Sequence, residues 1–446
     1  FKIHGWIGVK LSILFFIVCL SGTFATLSNE MDWLVNPAIR AVPQETLASK
    51  NLMRDNLRAA FPESKFTYWS GAREPYLCDV VFMVHADESR SYVFVNPYTG
   101  AVQGSANLTM QRYFRDLHYY LFIPFQVGHF TVLIFGFLLL FSLLTALLFM
   151  KKWYRKFLEL KRGKGPLVLF RSLHRLVGLW AIPFMLLFSV TGIWYFLERT
   201  NTAGISKTAN TKTPKLEEPM TDSVALAELY WHFDYDRAAD SARAHIPGLL
   251  TKDISLPRKL DAPVYLTGIS NVPLVRNRAN RVYLHPENYT VIKVQNAAAL
   301  PTVTWLNDIA DPLHFGSFGG LPTKIIWFFA GLAISGLVLT GIWISLKRKV
   351  RTEKLRRAQR MGRWKYVNWA LVGLLFLFMY GTLSQRYQAS WPVLITITAG
   401  WLILGFGAWY LFVYRLREVA LEAQTQVQKK LVKRKVRTDG PPGGNP

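Results

Sequence analysis

Six apolar stretches, each long enough to cross a membrane, alternate along the chain with polar segments. About 20 consecutive apolar residues in a helix span the hydrocarbon core of a bilayer. By that measure the spans lie at roughly 5–27, 121–149, 174–197, 323–346, 367–384 and 392–414. The pattern predicts an integral membrane protein that is mainly α-helical, with six transmembrane helices. Only a short segment separates the last two, so we expect them to form a tight hairpin.

Two long polar insertions, at about 29–117 and 199–313, interrupt this pattern, and each has the pattern of a small α+β domain. Helical spacing of apolar residues comes first, and strand-like alternation follows. In the first insertion Asn96 to Gly100 predict a turn, with glycine where φ can be positive. The corresponding turn of the second insertion, at 285–288, lacks the glycine. The predicted helices and strands lie at 45–61, 65–69, 79–85 and 91–95, and at 224–233, 237–245, 262–266, 281–284 and 291–294.

These patterns divide the chain into spans, domains and basic loops. The first apolar run could be a signal peptide, but its length and the lack of a clear cleavage site favour a retained anchor. Polar, proline-containing residues at 200–219 predict a linker. The predicted boundaries are 1–28 (first span), 29–117 (first α+β domain), 118–150 (second span), 151–172 (basic loop), 173–198 (third span), 199–313 (second α+β domain), 314–346 (fourth span), 347–366 (basic loop), 367–414 (hairpin) and 415–446 (basic tail).

The formal net charge of +25 is concentrated beside the apolar runs. Eight Lys or Arg residues lie between Lys151 and Arg171, ten between Lys347 and Lys365, and eight in the tail. Basic residues flanking spans remain in the cytoplasm. We therefore expect a bacterial inner-membrane protein with both termini cytoplasmic and both insertions in the periplasm. The basic clusters would contact membrane lipid, and no nucleic-acid partner is expected.

The chain lacks several cofactor motifs. It has two cysteines and no Cys-x-x-Cys, which excludes c-type haem attachment and a simple iron–sulfur or zinc ribbon held by this chain alone. It has no Gly-x-Gly-x-x-Gly dinucleotide fingerprint. We therefore do not expect the protein to oxidise NAD(P)H by itself.

Four histidines open four of the apolar runs in a repeated arrangement. His118 and His314 are 196 positions apart, and His4 and His174 are 170 apart. Imidazoles in or near hydrocarbon are costly and tend to be functional. Alternating helix directions place His4 with His174 on the cytoplasmic side, and His118 with His314 on the periplasmic side. Two bis-histidine haem b sites are the favoured interpretation, and interfacial histidines that cap helices are the alternative.

Other residues near these histidines could belong to the haem sites. His129 follows His118 by eleven residues, three helical turns, so both would point to one face. It could replace His118 as a ligand, line a pocket, or be a hydrogen-bonded core histidine. Four arginines flank the histidines and could pair with haem propionates, although topology also explains Arg171; they are Arg112, Arg115, Arg171 and Arg175.

Asp116, Asp308 and Asp311 lie near the outer histidines. Asp116 and Asp311 could orient a ligating imidazole or attract ferric iron, or they could cap helices. Glycines at 8, 22, 178, 192 and 341 would permit close approach to a porphyrin or equally to another helix.

The constellation resembles the PepSY-associated transmembrane family, in particular its iron-regulated members that include siderophore reductases. The resemblance rests on His4-x-Trp6-x-Gly8 with Ser21-Gly22, on Leu117-His118, on Leu173 to Gly178 with Thr191-Gly192, on Leu313-His314 with Gly316 and Gly319-Gly320, and on Val95 to Val102 as a PepSY-like turn. It covers about residues 1–350 and leaves the hairpin unexplained.

The resemblance implies two haem b groups per chain and PepSY-like periplasmic domains. It further implies a ferric or siderophore reductase that carries electrons across the membrane to ferric iron or a ferric siderophore, in support of iron acquisition. Membrane quinol or a cytoplasmic flavoprotein would supply the electrons. Two alternatives remain open: a siderophore or metal permease or accessory subunit, and a PepSY-type regulatory protein without redox activity.

Overall fold

A computed structural model describes residues 10, 12–150, 152–162, 166–220, 222–350, 364–410 and 414. His4 and Gly8 lie outside these residues, as do the basic tail and most of the basic loop predicted at 347–366. The helices are α1 Ser12–Thr26, α2 Ser28–Val35, α3 Lys50–Ala60, α4 Met110–Tyr120, α5 Phe125–Phe149, α6 Pro166–Trp180, α7 Ile182–Arg199, α8 Ile205–Ala209, α9 Ser223–His232, α10 Tyr235–His245, α11 Thr302–Phe315, α12 Gly320–Val350, α13 Trp364–Gln385 and α14 Trp391–Trp409.

The apolar helices make this a membrane protein. Helices α5, α12, α13 and α14 are each long and apolar enough to cross a bilayer, and the bent pairs α1/α2 and α6/α7 bring the number of candidate spans to as many as six. The bend angles are 62° and 60°. The second bend follows from Pro183, which lies in the first turn of α7. Proline has no N–H to donate and its ring clashes with the preceding turn, so it kinks a continuous helix.

Packing of the spans follows the sequence repeat. Helix α1 packs on α12, and α7 packs in the same way on α5. Glycine allows both crossings. A Cβ atom at Gly331 of α12 would overlap Thr23 Oγ1, and one at Gly136 of α5 would lie 3.3 Å from the backbone of Gly192.

The two insertions form one sheet rather than two separate domains. Its strands are β1 Lys65–Ser70, β2 Asp79–Val84, β3 Arg90–Val95, β4 Val102–Ala106, β5 Leu250–Ser255, β6 Val264–Ile269, β7 Asn280–Leu284 and β8 Val291–Gln295. Their order is β4-β3-β2-β1-β5-β6-β7-β8, and every pairing is antiparallel. Each insertion contributes a four-stranded meander, and β1 joins β5 with Trp69 opposite Ile254.

One hydrophobic core serves both halves of the sheet. Trp69 of the first half and Tyr235 of the second are fully buried, with ring centres 5.5 Å apart. Helices from both insertions contribute to the same apolar cluster. The two insertions therefore share one sheet and one hydrophobic core.

Both predicted turns are present, but a different residue takes the positive φ angle in each. Gly100 has φ +75° and donates its N–H to Asn96 O between β3 and β4. In the second insertion Tyr289 occupies the equivalent position with φ +63°. Its hydroxyl accepts a hydrogen bond from the Asp234 N–H. A tertiary contact thus accompanies a conformation that L-residues rarely adopt.

Candidate functional site

Two of the four repeated histidines face each other where the helix bundle meets the sheet. His118 lies on α4 and His314 on α11, short helices that precede the long spans α5 and α12. Their ring centres are 6.2 Å apart with an interplanar angle of 33°. Residues separated by 196 positions in the chain are thereby brought into one pair.

The hydrogen bonds of each ring fix its tautomer. His118 Nδ1 lies 2.9 Å from the carbonyl oxygen of Val18, which can only accept, so Nδ1 donates its proton. His314 Nδ1 lies 2.7 Å from Thr191 Oγ1. The Thr191 hydroxyl already donates its only hydrogen to Leu187 O at 2.7 Å, so towards His314 it accepts. In both rings Nε2 therefore carries a lone pair, which is the form that binds a metal ion.

His174 has the same arrangement at the opposite end of the bundle. Its Nδ1 lies 2.8 Å from Thr340 Oγ1, and that hydroxyl donates to Gly336 O at 2.8 Å. Thr340 on α12 thus repeats the role of Thr191 on α7. The predicted partner, His4, lies outside the described residues, so the inner pair itself is not seen.

Two of the glycines lie directly against imidazoles. A Cβ atom at Gly22 would be 2.7 Å from His118 Cε1, and one at Gly341 would be 3.4 Å from His174 Cε1. Gly192 instead faces Gly136, and Gly178 lies near Leu337. Gly22 and Gly341 therefore shape the surroundings of a histidine, whereas Gly192 serves helix packing.

The outer pair offers two imidazole ligands, which is fewer than a metal ion held by side chains alone requires. Among the described residues no group of three or more His, Cys, Asp or Glu side chains could hold a metal ion. A haem iron needs only two protein ligands, because the porphyrin supplies the other four. A metal lies about 2 Å from an imidazole nitrogen and roughly 3 Å from the ring centre, so rings on opposite sides of one ion have centres about 6 Å apart.

The environment keeps both outer imidazoles neutral. Burial lowers the pKa of His118, and it lowers the pKa of His314 to about 4. Aromatic side chains enclose His314, with the rings of Phe188, Tyr195 and Phe315 each 5.5 Å from its own. A neutral ring can offer its Nε2 lone pair, whereas a protonated ring cannot.

The outer arginines are positioned differently from each other. Arg112 Nε donates to Tyr387 Oη at 2.6 Å and to Asp116 Oδ2 at 3.2 Å. Arg115 is about half exposed, and its guanidinium lies 3.8 Å from Asp116 Oδ1. Arg112 is thus committed to a buried network, while Arg115 retains an open side for an anion.

The inner arginines also differ. Arg175 donates to the carbonyl oxygen of Glu159 at 3.0 Å and pairs with its carboxylate at 3.1 Å. Arg171 is exposed. An anion beside His174 would meet Arg171 more readily than Arg175.

His129 is a buried, hydrogen-bonded histidine in a different helix from His118. The chain leaves the helical conformation after Tyr120, where Leu121 and Phe122 have positive φ, and α5 begins at Phe125. The expectation that His118 and His129 share one helical face is therefore wrong. His129 Nδ1 lies 3.2 Å from Tyr119 O, and its ring stacks on Phe125 with centres 5.3 Å apart.

The acidic residues pair with arginines and tyrosines rather than with the imidazoles. Asp308 accepts from Arg276 and Arg278, and Asp311 accepts from Arg276 and from the Tyr195 hydroxyl at 2.8 Å. The imidazole Nδ1 atoms form their hydrogen bonds with carbonyl and hydroxyl oxygens instead. Sequence reasoning missed the part played by Thr191 and Thr340, although the repeated Thr-Gly dipeptide was a visible signal.

The hairpin, which the sequence left unexplained, packs against the helix that carries His118. Tyr387, in the turn between α13 and α14, donates to buried Asp116 at 2.5 Å. Trp401 of α14 donates through Nε1 to Tyr113 Oη at 2.9 Å. The hairpin therefore braces α4 from the side opposite to α1.

The fold and the site define a membrane protein in which two histidines, each near the end of a short helix, lie close together. The two insertions of this protein form one shared sheet. Residues 1–348 match the family model described as the PepSY-associated TM region, and the chain belongs to that family. It is also similar to an uncharacterised protein of Pseudomonas aeruginosa. The two are 26% identical over 298 residues, which cover 62% of this chain and 74% of that protein.

Proposed function

We propose that the protein is a transmembrane electron carrier with two haem b groups that reduces ferric iron or a ferric siderophore at the periplasmic side. The observation that carries the proposal is the pair His118 and His314, with neutral rings, lone pairs on Nε2 and centres 6.2 Å apart. Membrane proteins use facing helices to offer such pairs to haem. The protein would act as a ferric or siderophore reductase in iron acquisition.

The proposed orientation follows from charge. In the sequence, basic residues cluster in the loop that joins α5 to α6, in the segment before α13 and in the segment after α14. Such residues stay in the cytoplasm. This orientation puts the sheet and the His118–His314 pair at the periplasmic face of the inner membrane, and His174 with His4 at the cytoplasmic face.

The chain's own groups would hold each haem and keep its ligands in one state. His118 and His314 would ligate the outer haem, with Val18 O and Thr191 Oγ1 fixing the rings. Bound haem supplies a one-electron carrier, so one electron passed outward reduces Fe³⁺ to Fe²⁺. Arg171 offers a partner for a propionate at the inner end. The electron donor would be membrane quinol or a cytoplasmic flavoprotein.

The first experiment is a haem count on the purified full chain. We expect a reduced-minus-oxidised visible spectrum typical of haem b and a pyridine haemochrome value of about two haems per chain. His118→Ala and His314→Ala should each lose one of the two and abolish ferric reduction in membranes. His232→Ala, which changes an exposed histidine of the sheet domain, should keep both.

Other results would lead away from electron transfer. No haem after expression with ample haem supply would contradict the proposal and favour a permease, an accessory subunit or a regulatory protein. Loss of one haem in His129→Ala with both retained in His118→Ala would reassign the outer ligand.

A further inference from the structure

A cavity of about 920 Å³ opens between the hairpin and the turn that follows α4. One wall is α13 and the other is formed by α4 with residues 120–125. The cavity lies beside the His118 helix but is lined by neither His118 nor His314. It is therefore separate from the proposed outer haem site.

The upper end of this cavity is positively charged. Arg112, Arg115 and Arg386 line it together with Gln385, and its lining contains no carboxylate. Asp116 forms ion pairs with both Arg112 and Arg115, so one carboxylate faces two guanidinium groups. For Arg386, the described part of the chain provides no carboxylate within 4.0 Å. Three arginines against one carboxylate thus leave this end of the cavity with a net positive charge.

The lower end of the cavity, on the side away from Arg386, is apolar. Ile123, Phe122, Leu377 and Phe378 line it. Leu377 precedes Gln385 by eight residues of α13, which corresponds to about 12 Å of helix. Leu377 is 68% exposed on a helix long and apolar enough to cross the bilayer. The cavity therefore joins a cationic end to an apolar wall on a candidate membrane span.

We propose that this cavity binds a phospholipid with an anionic headgroup. The headgroup phosphate pairs with Arg115 and Arg386, and one acyl chain lies along Ile123 and Leu377. Guanidinium groups match phosphate oxygens in a two-pronged geometry. A free anion would fill only the cationic end, and the choline cation of a zwitterionic lipid would offset the charge of its phosphate.

Such a lipid would strengthen the contact between the hairpin and α4. It would touch both walls of the cavity and would complement the direct bonds from Tyr387. The proposal does not depend on haem, because none of its contacts involves a histidine.

Lipid retention by the purified full chain tests the proposal. Native mass spectrometry of protein exchanged into detergent with phosphatidylglycerol or with phosphatidylcholine should show one tightly held phosphatidylglycerol. The double variant Arg115→Gln/Arg386→Gln should weaken its retention by about tenfold or more. The charge-matched control Arg58→Gln/Arg243→Gln, at exposed positions of the sheet domain, should retain it.

A second variant separates loss of the site from loss of fold. Gly381 lines the cavity and has open space around its Cβ position, as does Gly373 outside the cavity. Gly381→Leu should displace the lipid, whereas Gly373→Leu should not. Equal retention of both lipids, full retention by the arginine variant, or complete displacement by inorganic phosphate would overturn the proposal. Haem counts on the same samples keep this result separate from that of the electron-transfer proposal.

Discussion

Gly22 controls how closely one imidazole approaches a neighbouring helix. A Cβ atom added at Gly22 would lie 2.7 Å from His118 Cε1 and 2.9 Å from His118 Nδ1. The same ring donates a hydrogen bond through Nδ1 to Val18 O, one turn earlier on α1. Any side chain at position 22 must therefore displace the ring or separate α1 from α4.

We expect Gly22→Ala to destabilise the protein although alanine favours helices. The overlap should cost about 1–3 kcal/mol, which outweighs the gain of about 1 kcal/mol from helix propensity. Thermal unfolding in detergent should therefore occur at a lower temperature than in the wild type. Gly336→Ala is the matched control, since its Cβ position has nothing within 4 Å. Equal unfolding temperatures for the two variants would show that position 22 is not crowded.

Helix α4 is held on both sides, and this sets the position of His118. Helix α1 contacts one side through the imidazole, and the hairpin contacts the other through Arg112, Asp116 and Tyr387. Asp116 is fully buried, and its Oδ2 accepts from Arg112, from Tyr120 and from Tyr387. Removing one of these hydrogen-bond donors from a buried carboxylate costs stability.

Tyr387→Phe should weaken the contact between the hairpin and α4. The variant keeps the ring but removes a hydrogen bond to a charged group, worth about 1.5–3 kcal/mol. We expect a lower unfolding temperature and faster cleavage by protease in the 120–125 turn. Tyr154→Phe, which changes a largely exposed tyrosine, should behave like the wild type. Wild-type behaviour of both variants would rule out the hairpin as a support for α4.

Periodicity in the sequence was sufficient for most elements but not for how they join. Apolar runs predicted the membrane helices, and alternation predicted strands such as Lys65–Ser70 and Arg90–Val95. The break after Tyr120 was missed because Leu121 and Phe122 have no intrinsic preference for positive φ. The strand β5 was also missed, because its residues alternate too weakly to be recognised without their partners.

The histidine pairing was predictable, but the groups that orient the rings were not. The repeat predicted matched depths for His118 and His314, and their ring centres lie 6.2 Å apart. The other predicted pair includes His4, which lies outside the described residues. Hydrogen bonds such as the one from His314 to Thr191 depend on how α7 packs on α11, and no local pattern encodes that. Likewise, nothing in either insertion alone indicates that β1 pairs with β5.

Across the whole molecule, the sheet is tied to the bundle by a buried cluster of three charges. Lys324, near the start of α12, is 5% exposed, and its Nζ lies 2.7 Å from Glu30 Oε1 and 2.6 Å from Glu74 Oε1. Glu30 belongs to α2, and Glu74 belongs to the loop between β1 and β2. One ammonium group thus joins two candidate spans to the extramembrane body.

Lys324→Met should loosen the junction between sheet and bundle. The change keeps side-chain length but leaves Glu30 and Glu74 without their cation, which should cost about 3–5 kcal/mol because both are largely buried. Glu74→Gln should cost less, since a neutral pair of Lys324 and Glu30 remains. Differential scanning fluorimetry in detergent would measure both.

The control for this prediction is an ion pair of the same chemistry on the surface. Lys215 pairs with Asp261 while 82% exposed, and such pairs contribute about 0–1 kcal/mol. Lys215→Met should therefore hardly change the unfolding temperature. If Lys324→Met were equally mild, water would have to reach the two glutamates, and the junction could not depend on this charge cluster.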